Sequence, residues 1–95
     1  VAVLGQTNVF KVFADGDSDQ VALYAIRNIT TGDTVNLGPG GLNDFLGIKQ
    51  AVVLGTTVAG IANPGIAGTT LTVPAGLSGD AGYMLVWGPS ANMAG

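Results

Sequence analysis

Glycine and proline punctuate this chain at short intervals, and the runs between them do not follow helical periodicity. Together they make about one residue in five, sixteen Gly and four Pro among 95. The runs between them are rich in Val, Ile, Thr and aromatics, residue types that fit a pleated sheet. Strands are expected at residues 7–14, 20–28, 33–37, 48–54, 56–62, 69–73 and 82–87. The connections at 15–19, 30–33, 63–65 and 74–76 carry the Asp, Asn, Gly and Pro that turn backbones require. Residues 42–47 (LNDFLG) suit one helical turn, and nothing longer fits helical periodicity. The echo of GTTV at 55–58 in GTTL at 68–71 reads as a hairpin with similar arms turning at 63–65, since two copies are too few for a solenoid. About seven short strands predict an all-β fold, an antiparallel β-sandwich or a small β-barrel. The length fits one domain spanning 1–95.

Within this β pattern the faces are unusual. A half-exposed antiparallel strand alternates apolar and polar residues, because successive side chains point to opposite sides. In 20–28, however, Val21, Leu23 and Ala25 share one side while Ala22, Tyr24 and Ile26 share the other. Residues 82–87 set Tyr83, Leu85 and Trp87 against Met84 and Val86, and 51–54 (AVVL) is a third two-sided run. No helix is available to cover a second face. A folded-over loop, the wall of a closed barrel or another subunit has to do so. At about 25 cal/mol per Å² of apolar surface, leaving several such faces wet forfeits several kcal/mol. That is comparable to the whole stability of a small domain. Association is the simplest remedy, and the contact residues expected are Tyr24, Ile26, Tyr83, Met84, Val86 and Trp87.

Charge is scarce in the same sense. Nine residues are charged, three Lys/Arg and six Asp, or 9% of the chain against about 25% in an average soluble domain. Mean hydropathy is +0.49, yet no run approaches the roughly 18 apolar residues of a membrane span. A net charge of −3, with Lys11, Arg27 and Lys49 scattered, argues against a nucleic-acid partner held by phosphate neutralisation. The chain begins at Val1 without an initiator Met, consistent with removal of that Met or of a longer leader.

Little here supports chemistry. Asp15, Asp17 and Asp19 are candidate oxygen ligands for a hard cation, but Gln20 and Ile26 stand where a calcium loop of the EF-hand type needs Gly and Glu. We read no metal site and no cofactor there, only a polar turn. Residues 38–41 (GPGG) lack the Gly-Lys-Ser/Thr ending of a phosphate loop and read as a flexible loop. Asn28-Ile-Thr30 matches a glycosylation triplet, which arises often by chance. Thr70-Leu-Thr72 places two hydroxyls on one strand face, too short a ladder to bind ice. With no His, no Cys and three Ser (Ser18, Ser78, Ser90), the chain lacks the parts of a catalytic triad. We expect no enzyme activity.

The stretches LGQTNVFKVF, ALYAIRNITTGDTVNLG, AVVLGTTVAG and PAGLSGDAGYMLVWG, which span most of the chain, carry a likeness of style. In their Gly/Thr/Val-rich strands, few charges and lack of catalytic residues, the chain resembles the small head-decoration (cement) proteins of tailed bacteriophages. The resemblance implies a structural virion protein on the outer capsid surface. It would bind the major capsid protein across subunit joints and stabilise the shell as a homo-oligomer, with a trimer favoured. It also implies an N-terminal arm, positionally residues 1–7, that joins a neighbour by strand addition. The other reading of these residues is a carbohydrate- or surface-binding β-sandwich module of a fibre, pilus or secreted complex, with Trp87 or Tyr83 as its platform.

Overall fold

Strands of β-branched and aromatic residues, cut by glycine turns, assemble into two antiparallel sheets. The computed structural model describes residues 2–16, 18–54 and 61–91. Eight strands run through them: β1 (Val9–Asp15), β2 (Asp19–Thr30), β3 (Thr34–Asn36), β4 (Gln50–Leu54), β5 (Ile61–Ala62), β6 (Gly65–Ala67), β7 (Thr70–Thr72) and β8 (Ser78–Pro89). Their order is β1-β2-β8-β4-β5 in the larger sheet and β3-β7-β6 in the smaller. The expected all-β class holds, and the two separate sheets make it a β-sandwich. The long pair β2 and β8 forms its spine, in register from Asp19 opposite Pro89 to Ile26 opposite Gly82.

One face of the large sheet turns inward. Ala22, Tyr24 and Ile26 of β2, Met84 and Val86 of β8, and Ala51 and Val53 of β4 are all buried. At one end they meet Val35 of β3 and Leu71 of β7 from the small sheet, together with Leu4 and Val9. The loop of residues 37–49 covers the other end. It is tied to the end of β8 by the Leu46 amide donating to the Pro89 carbonyl (2.9 Å) and the Lys49 amide donating to that of Trp87 (2.8 Å). Phe45, at the centre of this loop, is fully buried.

Two bulges adjust what faces where. Between Ile26 and Ile29 the β2–β8 register shifts, and Asn28 takes a φ of 56°, a left-handed conformation that asparagine tolerates. Both isoleucines are consequently buried although they stand three positions apart, an odd spacing that regular alternation would send to opposite faces. In β1 the register slips between Lys11 and Phe13, so that Lys11 lies opposite buried Tyr24 while Phe13 lies opposite Leu23 on the outer face.

Several expectations are corrected. The 42–47 stretch is not a helical turn: Asn43 sits at φ 58°, outside the right-handed helical region, and the chain runs on to a bridge between Phe45 and Ser90. The turn at 63–65 does not close a hairpin, because β5 belongs to the large sheet and β6 to the small one; the hairpin is β6–β7. Most of the expected 56–62 strand, and GTTV at 55–58, lie outside the described residues. Nor is the 38–41 loop loosely held. Asn36 Oδ1 accepts from the Gly38 amide (2.9 Å) and the Thr69 hydroxyl (2.7 Å), and its Nδ2 donates to the Pro39 carbonyl (3.2 Å).

Residues 2–4, within the expected N-terminal arm, lie along β3 of their own chain. Val3 bridges Thr34 in parallel, the Leu4 amide donates to the Thr34 carbonyl (2.7 Å), and the Thr34 amide donates to that of Ala2 (2.9 Å). Asp33 fastens this segment: its carboxylate accepts from the amides of Ala2 (2.8 Å) and Thr30 (3.0 Å). Those two backbone donors, Ala2 first, hold its pKa below the usual aspartate value. A carboxylate depressed in the folded state contributes stability above the unfolded aspartate pKa of about 3.9 and loses it as pH falls through the lower folded value. The urea midpoint of the wild type is therefore expected to exceed that of Asp33→Asn by a constant margin above about pH 5. Below about pH 4 that margin shrinks. An equal margin at every pH would contradict this role for the charge.

Candidate interaction surface

The outward face of the large sheet is as apolar as its inward one. Strand register places Val21, Leu23 and Ala25 of β2 beside Trp87, Leu85 and Tyr83 of β8. Val52 and Leu54 of β4 lie beyond Leu85 and Tyr83, and Phe10 and Phe13 of β1 flank Ala25 and Leu23 on the other side. Among the described residues, eight large hydrophobic side chains are exposed, and four of them, Phe13, Val21, Tyr83 and Trp87, belong to this single face. The patch is four strands wide. It is not the scatter of single apolar residues that any protein surface carries.

Charge is confined to its ends. At one end Asp15 lies opposite Val21, and Asp19 pairs with Lys49 at 2.7 Å. At the other end the guanidinium carbon of Arg27 stands 4.5 Å from the centre of the Phe10 ring, a cation–π contact. An apolar centre with a polar rim is the arrangement of a protein–protein contact.

The six contact residues expected from sequence divide between the two faces. Tyr83 is 50% exposed and Trp87 38%, both on the outer face. Tyr24, Ile26, Met84 and Val86 are corrected to core residues, since the small sheet and the 37–49 loop cover their side of the sheet. Tyr24 is in addition chemically fixed there. Its hydroxyl donates to Asp44 Oδ2 at 2.8 Å, and burial, then this hydrogen bond, then the charge of Asp44 keep the phenol protonated well above its usual range.

Asp44 is the functional-looking residue that sequence reasoning passes over. Besides Tyr24 it pairs with Lys11 at 3.2 Å, and its backbone carbonyl accepts from the Gln20 side-chain amide and the Ala91 amide (3.0 Å). These partners belong to β1, β2 and the segment just after β8, so the residue fastens the loop to the sheet. An acid directly before Phe45 in LNDFLG is its one signal.

Of the three candidate cation ligands, Asp19 is engaged by Lys49, Asp15 stands at the rim of the outer face, and Asp17 lies outside the described residues. Among the described residues no three side chains of metal-binding type come together. The apolar cavity between the sheets, lined by Val9, Ile29, Val53, Leu71 and Met84 among others, has a volume of about 20 Å³. Pockets for small ligands run to about 300–1,000 Å³, so this cavity is too small to hold one. A shallow polar groove runs past Asn8, Asn28 and Asp33. There the Asp33 carboxylate is already occupied by two backbone amides. No helix among the described residues is long and apolar enough to cross a membrane.

Comparison of the chain with known protein families, with curated proteins and with solved structures found no match.

Proposed function

We propose that this chain is a structural virion protein, a capsid decoration or cement subunit that binds the major capsid protein across subunit joints on the outer capsid surface and stabilises the shell. The observation that carries this reading is the apolar outer face of the large sheet, rimmed by Asp15, Asp19, Lys49 and Arg27. Its three exposed aromatic residues, Phe13, Tyr83 and Trp87, each leave about 100 Å² open, and at about 25 cal/mol per Å² a covering partner would recover several kcal/mol from them. Such a surface suits a protein that works while covered by other subunits, and the resemblance to decoration proteins supplies the setting. Repeated copies on a shell would gain avidity from many modest contacts. The carbohydrate-binding reading draws on the same exposed Trp87 and Tyr83.

Cosedimentation with tailed-phage shells stripped of their own decoration protein tests the proposal, with Trp87 fluorescence as a parallel readout. Saturable binding at a fixed ratio per shell is expected, with a raised shell rupture temperature. Trp87 emission is expected to respond to protein concentration and not to a panel of glycans. A chain that stays in the supernatant, with an emission that moves only with glycans, overturns the structural reading in favour of the sugar-binding one.

A further inference from the structure

We propose that the outer face of the large sheet is covered by the same face of a second copy of this chain, the two related by a two-fold axis lying across the strands. The inference rests on the reading that this face works while covered by other subunits; it makes that cover a second copy of this chain, so that a capsid would hold the resulting dimer through surfaces other than this face.

Charge placement argues for this occupant. Arg27 lies at one end of the face and Asp15, opposite Val21, at the other. Six residues of strand separate those levels, about 20 Å. Among the described residues neither side chain has an ion-pair partner within its own chain. A two-fold axis across the strands carries the Arg27 end of one copy over the Asp15 end of the other, and does so twice. The two residues occupy adjacent strands, about 4.8 Å apart, an offset that an arginine side chain spans. An axis along the strands would instead stack like on like, Arg27 near Arg27 and Asp15 near Asp15. The face is thus complementary to itself in one orientation, the requirement of an isologous dimer.

Area points the same way. The exposed parts of Phe13, Tyr83 and Trp87, with Val21 and the half-buried Leu23, Leu85, Val52, Leu54 and Phe10, offer about 600 Å² per copy. Two copies then bury about 1,200 Å², the lower end of the range for stable specific interfaces. Sheets stacked face to face lie about 10 Å apart with strands within about 30° of alignment, and side chains of this size fill that space. The apolar centre supplies the affinity, while the rim charges set the orientation.

The test is sedimentation equilibrium of the full chain over a concentration series. A monomer–dimer equilibrium is expected for the wild type. Arg27→Asp and Asp15→Arg each place like charges opposite one another twice and are expected to weaken self-association by at least about tenfold. Mixed in equal amounts, the two variants form a fully complementary heterodimer, and association is expected to return to near the wild-type level. Tyr83→Asp, at a half-exposed position, is expected to abolish it, with circular dichroism confirming the fold. A wild type that remains monomeric at about 1 mM, a trimer, or a mixture that fails to recover overturns the inference. Shell cosedimentation responds to the decoration reading separately, so a monomer that still binds shells overturns the dimer and leaves that reading standing.

Discussion

Phe45→Ala is expected to lower the unfolding free energy by about 4 kcal/mol, within the range for deletion of a buried aromatic side chain. The ring is fully buried, and it lies in a loop that is held against the sheet. Its neighbours fix the loop on both sides. Asp44 receives the Tyr24 hydroxyl and the Lys11 ammonium, and the Leu46 amide reaches the Pro89 carbonyl. The cavity therefore has little freedom to collapse. For a domain of this size, with a total stability of about 5–15 kcal/mol, the loss is a large fraction of the whole. Urea denaturation followed by circular dichroism measures it. A change below about 1 kcal/mol would mean that the 37–49 loop contributes little to the folded state.

The second large effect comes from a position with no side chain at all. A Cβ placed on Gly88 would lie 2.4 Å from the Gly47 carbonyl oxygen and 3.1 Å from the Ile48 Cα, both backbone atoms. Gly88→Ala must push the loop off the end of β8, straining the hydrogen bonds that bracket it, Leu46 to Pro89 and Lys49 to Trp87. Overpacking together with weakened backbone bonding is expected to cost about 3 kcal/mol. Gly47→Ala is the internal control, because its nearest contact would be Pro89 Cδ at 4.0 Å. A near-neutral change is expected there. Equal losses at the two positions would show that the effect is generic to glycine and not due to close approach at Gly88.

These two residues also show what the sequence reveals and where it stops. Glycine spacing and β-branched runs are enough to predict an all-β fold, and the long strands around Tyr24 and Trp87 are legible from composition. The faces are not. Val21, Leu23 and Ala25 are as apolar as Ala22, Tyr24 and Ile26, so alternation cannot say which row turns inward. One signal is present: Gly82 and Gly88 share the parity of Met84 and Val86, and glycine in a strand marks close approach of another backbone. Reading that parity assigns Met84 and Val86 to the covered side and leaves Tyr83 and Trp87 outside. The bulges are beyond reach. A single left-handed Asn28 brings Ile29 into the core, and the slip in β1 turns Phe13 outward. Neither depends on a residue that demands it from sequence alone. The loop carrying Asp44 and Phe45 departs from the expected helical turn for a related reason, because helical and extended forms of six residues differ here through the φ of Asn43.

The slip in β1 has a consequence for how far assembly can proceed. β1 and β5 are the two margins of the large sheet, the places where an unpaired backbone would invite strands to add without limit. One margin is kinked where the register shifts and carries Lys11, whose ammonium is drawn inward to Asp44. The other, among the described residues, is a strand of two residues. Kinks, inward charges and very short strands are the devices by which β proteins resist fibre formation. Sideways growth is thereby discouraged while the broad face stays open. A chain so poor in charge can remain adhesive in one direction without polymerising in the other.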